Sequence, residues 1–283
     1  MPKTWFVTGA GRGLGAQIAK AALRAGDRVV ASGRSRASVS DSLGPDSDRL
    51  LAVELDVTSL DQAQDAVDAA VSRFGGIDVL VNNAGYGHLG FFEEMTMQDV
   101  RAQFATNLFG VFNVSWAALP VMRSARQGRI FNISSVGGFA GGELASLYCA
   151  SKFALEGFSE SLAKEIAPFG LFVTIVEPGP FRTDFLSGDS LRFGDRTVAD
   201  YDDRRAGFRA YFEQRHGQQP GDPARLADAL VLLSGEAEPP LRFAAGSIAV
   251  AAAEAKLAGL RTELDRWRPL SVGTDSEAAP TSR

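Results

Sequence analysis

Short, unbroken apolar runs alternate with stretches of helical apolar spacing along most of this chain, and that alternation limits its fold more than any other feature. Trp5–Thr8, Arg28–Ala31, Leu50–Leu55, Ile77–Val81, Arg129–Ile133 and Leu171–Val176 read as strands. Between them, Leu14–Ala25, Gln62–Phe74, Met97–Met122 and Leu147–Ile166 carry apolar residues at helical spacing. Strands that are apolar on both faces belong in a parallel sheet covered by helices on both sides. With right-handed crossovers the pattern predicts an α/β fold, a doubly wound parallel sheet of Rossmann type, in a single domain over residues 1–270. After Pro178 the pattern loosens. Residues 181–222 are expected to form a substrate loop and helical flap, with a helix near Tyr201–Arg215. Asp222-Pro223 opens a helix to Leu233, Leu241–Ala245 reads as a last strand, and Ala249–Trp267 as a last helix. The polar tail 271–283 is expected to be disordered.

Glycines join the first strand to the first helix in Thr8-Gly9-Ala10-Gly11-Arg12-Gly13-Leu14-Gly15. Without a Cβ the backbone can turn tightly and approach a ligand. The free N–H groups and positive dipole end of the following helix suit a pyrophosphate. A dinucleotide is the expected ligand. An acid ending the second strand would bond the ribose 2′-hydroxyl of NAD. This chain has Ser32-Gly33-Arg34 there, and Arg34, with Arg12 in the glycine loop, can meet a 2′-phosphate through a forked contact. The residues therefore favour NADP(H).

Tyr148 and Lys152 lie four apart, on one face of a predicted helix, with Ser135 upstream. A free phenol has a pKa of roughly 10, and a neighbouring ammonium is expected to lower it. Such a pair can exchange a proton with a substrate oxygen, as alcohol and ketone chemistry requires. Strand alternation turns Ser134 away from the side that Ser135 faces.

These motifs, in this order, resemble the short-chain dehydrogenase/reductase family in its single-domain form, densely over residues 3–183. The resemblance implies that Gly9, Gly13, Leu14 and Gly15 form the cofactor loop, and that Asp56 and Val57 contact adenine. It places Asn82, Asn83, Ala84 and Gly85 beside the ribose, and Pro178, Gly179 and Thr183 at the nicotinamide carboxamide. It implies Tyr148 as general acid/base, Lys152 as its pKa partner and ribose ligand, and Ser135 as donor to the substrate oxygen. Asn107 would hold a water linking Lys152 to solvent. The resemblance implies hydride transfer with a nicotinamide cofactor, here NADP(H) by the residues above, and so an oxidoreductase interconverting a ketone or aldehyde and an alcohol. Homodimers or homotetramers are implied through the helices Met97–Met122 and Leu147–Ile166.

Two other readings stay open on the residues: a non-catalytic NADP-binding sensor, and an NAD-preferring dehydrogenase of the same fold. An intact Ser135, Tyr148 and Lys152 set argues against the sensor. Of the aromatics after Pro178, among them Phe181, Phe185, Phe193, Tyr201, Phe208, Tyr211 and Phe212, some must form the core of the flap, and their density, with Leu186, is expected to shape a pocket for a hydrophobic small molecule. His88 is expected at the pocket mouth or incidental, and His216 at the surface.

Charge and cysteine content exclude other classes. The net charge of −5 offers no basic field for nucleic acid or an anionic membrane. The single cysteine, Cys149, allows no internal disulfide and fits a reducing compartment. No leader-like segment is evident at the N-terminus, and no apolar run approaches the roughly 18 residues that span a bilayer. A cytoplasmic protein is expected. With two histidines and one cysteine, no metal site is expected.

Overall fold

Seven parallel strands form one sheet in the order β3-β2-β1-β4-β6-β7-β9: β1 (Thr4–Val7), β2 (Arg28–Gly33), β3 (Leu50–Glu54), β4 (Val79–Asn82), β6 (Gly128–Ile133), β7 (Leu171–Pro178) and β9 (Arg242–Ala245). The computed structural model describes residues 1–186, 190–194, 196–215 and 217–276. The order reverses beside β1, the point at which doubly wound sheets open a crevice for ligands. The expected seventh strand is present at the sheet edge, and the helix expected near Tyr201–Arg215 is α7 (Asp202–Arg215).

Both sheet faces are covered. One face packs on α1 (Gly13–Arg24), α2 (Arg36–Leu43) and α8 (Pro223–Leu233), around Trp5, Ile18, Phe131 and Leu230. The other packs on α3 (Leu60–Phe74), α5 (Gly110–Ala125) and α6 (Ser146–Ile166), around Phe6, Val67, Leu80 and Met122. Phe6, Val30 and Leu80 thus serve one core while Trp5, Val29 and Val79 serve the other, which explains why the strands read as unbroken apolar runs. Several helices carry the starts and stops that their sequence signals demand. Asp222 caps α8 by accepting from Ala224 N, with Pro223 at the first turn, and left-handed Gly75 ends α3.

The structure departs from the sequence reading in five places. The helix expected over Met97–Met122 is three pieces: α4 (Met97–Phe104), a π turn (Ala105–Phe109) and α5. The continuous helical run Met97–Ala125 is also long and apolar enough to cross a bilayer by length and composition, contrary to expectation. Its Val114, Ala117, Ala118 and Met122 belong to the second core, and a core helix meets the same test. An additional helix, α2, and an additional short parallel pair, β5 (Gly87–Leu89) with β8 (Leu191–Phe193), had no clear sequence signal. The last helix, α9 (Ser247–Val272), runs into the tail expected to be disordered, of which 277–283 lie outside the described residues.

Candidate active site

The C-terminal ends of β1, β4, β6 and β7 bring the expected site residues to one side of the sheet. Gly9 and Gly13 both have left-handed φ, +66° and +56°, which only glycine adopts without strain. A Cβ on Gly15 would lie 2.4 Å from Gly9 O and 2.5 Å from Asn83 Nδ2. The turn is thus too tight for any side chain. Asn83 braces it, donating to Thr8 O (2.9 Å) and Gly9 O (3.3 Å), while Thr8 Oγ1 accepts from Asn83 N (2.9 Å) and Ala84 N (3.0 Å). Helix α1 begins at Gly13 with Leu14 in its first turn and no acidic residue there, leaving a positive end toward the loop. A cradle of this kind fits the pyrophosphate of a dinucleotide.

Arg34 stands exposed after β2, and Arg12 is the extended N-cap residue of α1. No acid ends β2. Asp56 turns back on Thr58, accepting from its N–H at 2.9 Å, and Val57 is buried against Gly110, where any Cβ would collide with it. Gly179 N donates to Ala245 O at 3.0 Å, fixing the loop after β7. Thr183 reaches over the glycine loop: a Cβ on Gly13 would sit 3.8 Å from Thr183 Cβ, with a cleft of about 230 Å³ between Gly13, Gln17, Thr183 and Pro223.

Ser135 follows β6, and Tyr148 and Lys152 lie in the first turns of α6. The Ser135 side chain acts on the Tyr148 phenol and favours its ionised form, and Gly137 N donates to Ser135 Oγ at 3.0 Å. Gly137 lets this happen, since a Cβ there would be 3.3 Å from both Tyr148 Cε1 and Cys149 Sγ. Lys152 Nζ donates to Ile133 O at 2.7 Å and lies 5.9 Å from the Tyr148 ring centroid. Tyr148 as a residue is only half-buried, yet its hydroxyl is desolvated, and burial pushes the phenol up to about 12 against the hydrogen bond from Ser135. Burial likewise pulls the Lys152 ammonium down to about 8, opposed by the Glu156 carboxylate. The expected lowering of Tyr148 by Lys152 is therefore not the dominant effect here. Desolvation is larger, and Lys152 points its ammonium at a backbone carbonyl.

Asn107 sits in the π turn and is 1% exposed. Its amide donates to Tyr86 O (3.0 Å) and Ser151 Oγ (3.3 Å), and its Oδ1 accepts from Tyr86 N (3.1 Å). The side chain thus stitches the loop after β4 to α6, and its amide N–H groups are already engaged. Gly85 leaves room between them, since a Cβ there would approach Asn107 Oδ1 at 3.2 Å and Lys152 Nζ at 3.8 Å.

Ser134 faces away, donating to Glu156 Oε1 at 2.6 Å. Behind it lies a cluster that sequence reading missed. Arg242, on β9, pairs with Glu156 and Glu160 of α6 and with Glu177 of β7, the last at 2.5 Å. Burial and the neighbouring Glu177 raise the Glu156 carboxyl, while Arg242 and Ser134 oppose the shift. Arg242 lies 65 to 86 positions along the chain from the three carboxylates it meets here, and no local pattern announces the cluster.

Of the flap aromatics, Phe185 is the one shown beside the phenol, its ring centroid 6.0 Å from that of Tyr148. Tyr201 stacks on Phe91 at 4.0 Å, Phe193 packs on Phe212, and Tyr211 on Phe212. Those rings knit the flap rather than line the reaction centre. His88 is buried on β5, its Nδ1 3.9 Å from Asp99 Oδ1, and does not meet the Ser135–Tyr148 pair. His216 and the side chain of Leu186 lie outside the described residues.

A family model for the short chain dehydrogenases matches residues 3–191. The chain is 38% identical over 276 residues to an oxidoreductase, BOA17, of Botryotinia fuckeliana, covering 97% of this chain and all of that one. It is 37% identical to a 3-ketodihydrosphingosine reductase of Bacteroides thetaiotaomicron, covering 87% of this chain and 89% of the other. A solved short-chain dehydrogenase from Streptomyces avermitilis superposes with TM-score 0.89 at 39% identity, over 98% and 100% of the two chains. Two more distant structures, each at TM-score 0.69 and 27% identity, are complexes with different cofactors. A 3-ketoacyl-(acyl-carrier-protein) reductase of Brucella melitensis holds NADH (82% and 90% covered), and ElxO holds NADP (84% and 94% covered).

Proposed function

The chain belongs to the short-chain dehydrogenase family and is an oxidoreductase, and from that premise we propose that it uses NADP(H) to interconvert a ketone or aldehyde and an alcohol on a hydrophobic small molecule. The observation that carries the reading is the desolvated Ser135–Tyr148–Lys152 group beside a glycine cradle. Gly9, Gly13, Leu14, Gly15, Asn83, Ala84, Gly85, Pro178, Gly179 and Thr183 would hold the dinucleotide, with Asp56 and Val57 toward its adenine. Bound there, the nicotinamide supplies the hydride.

The chain's own residues handle the oxygen and its proton. Ser135 donates a hydrogen bond to the substrate oxygen and holds it near Tyr148. In reduction, Tyr148 gives its phenolic proton to that oxygen as charge develops on it. Lys152, depressed to about 8, is poised near neutrality to return a proton. Asn107 acts as a positioning residue, locking the loop after β4 against α6. Phe185 gives the reacting carbon an apolar neighbour and excludes water.

Arg34 supports the NADP(H) preference, because it stands exposed where an acid would select NAD. A hydrophobic substrate is supported by Phe185 and by the 3-ketodihydrosphingosine for which the Bacteroides relative is named. A homodimer or homotetramer is supported by Phe109 and Trp116 of the central helices and Phe153 of α6, which leave 55%, 73% and 44% of their surface exposed. The single buried Cys149 supports a cytoplasmic setting.

A panel of hydrophobic ketones and alcohols, followed by NADPH absorbance, tests the reading. Tyr148→Phe should abolish turnover while NADPH still binds. Arg34→Ala should raise the KM for NADPH at least tenfold and leave that for NADH nearly unchanged. An active Phe variant sinks the mechanism, and a parent that prefers NADH sinks the cofactor assignment.

A further inference from the structure

Helix α9 buries a single residue, Ala249, among its 26. From Leu257 onward every residue through Asp275 is exposed, including Leu257 (58%), Leu260 (45%), Leu264 (52%) and Trp267 (51%). Helices in proteins draw most of their stability from packing an apolar face, and large apolar side chains along this one call for a covering surface.

The apolar positions are spaced like a seam. Val250, Ala253, Leu257, Leu260, Leu264 and Trp267 alternate steps of three and four, the a and d positions of a heptad. We propose that α9 pairs with α9 of a second copy of this chain, antiparallel, as a two-stranded coiled coil in which Leu257 faces Leu260 of the other copy. That register sets Val250 against Trp267 and Ala253 against Leu264. Every seam residue is covered over about 27 Å of helix.

Charge selects the orientation. Glu254 and Arg261 flank one side of the seam, Lys256 and Glu263 the other. In the antiparallel register Glu254 faces Arg261 of the other copy and Lys256 faces Glu263. The two-fold axis makes each pair occur twice. A parallel pair would instead set Lys256 against Arg261. An antiparallel pair slid by one heptad would set Arg261 against Arg261 and Glu263 against Glu263. Arg261 keeps donors for the contact, because within its own helix it uses Nε on Asp265, at 2.8 Å. The seam lies on a different helix from the exposed Phe109, Trp116 and Phe153, so the two surfaces can act together.

Sedimentation equilibrium of the full-length protein tests the proposal, with NADPH binding as the check on folding. Leu257→Glu/Leu264→Glu should lower the assembled mass by one two-fold step, whatever the central helices contribute. Glu254→Arg alone should raise the dissociation constant of that step about tenfold, and Glu254→Arg/Arg261→Glu should restore it. An unchanged mass in the double Glu variant overturns the proposal, as does a charge swap that fails to restore association. Phosphatidylcholine–phosphatidylglycerol vesicles provide the other arm. Vesicle binding lost in the double Glu variant at unchanged mass would make a bilayer surface the occupant of the seam and overturn the pairing.

Discussion

Ser135 works on Tyr148 in one direction only. Its hydrogen bond favours the phenolate, while burial favours the phenol and wins, leaving the group at about 12. Removing the hydroxyl leaves burial unopposed, so the phenol moves further up. Ser135→Ala should shift the alkaline rise of alcohol oxidation to higher pH and cut turnover by about 10²-fold, measured as pH profiles of kcat. Gly15 allows a second test at this scale. Alanine there meets a backbone oxygen and the Asn83 amide, so Gly15→Ala should destabilise the fold by about 2 kcal/mol by denaturant titration and weaken NADPH binding. That Ser134 turns away from the side that Ser135 faces was legible from strand alternation. The direction of the Tyr148 shift was not, because it depends on desolvation and on where Lys152 aims its ammonium. The aromatic richness after Pro178 was legible, and so was the need for some rings to form the flap's own core; which ones do so, such as Tyr201 on Phe91, and which one stands beside Tyr148, namely Phe185, was not.

Among the elements, β9 joins the sheet by a single edge, to β7, yet brings Arg242 to three carboxylates. Arg242→Met would strand Glu156 and Glu177, both buried, without a counter-charge, and should cost about 3 kcal/mol. The Glu156 carboxyl is already raised in the folded protein, so the native state binds its proton more tightly than the unfolded chain does. Stability therefore rises as pH falls through that raised pKa, and the gap between variant and parent should narrow on acidification. Thermal melts of both across pH would show it. The main strands and long helices were legible because each carries its own apolar period. Helix α2 was not, because it buries only Val39. The π turn at Asn107 escaped because one extra backbone residue per turn barely shifts the apolar spacing. Strands β5 and β8 have three residues each, too few to show a period.

For the molecule as a whole, two apolar cores press one sheet from opposite faces, and the flap meets that body through β5 and β8, the Tyr201–Phe91 stack, the Phe185–Tyr148 contact and the Glu94–Arg205 ion pair (3.0 Å). Hydrogen exchange followed by mass spectrometry should find β1, β4, β6 and β7 protected to the level of global unfolding. Peptides within 190–215 should exchange through openings at least about 2 kcal/mol easier. Equal protection of both regions would mean that the flap and sheet open as one unit. The Arg242 cluster also carries a consequence for how the protein comes into being. A ribosome releases Ser135, Tyr148 and Lys152 roughly a hundred residues before the guanidinium that neutralises the carboxylates behind them. A nascent chain can lay down most of its sheet early. Its reaction centre becomes whole only when one of the last strands made docks beside β7.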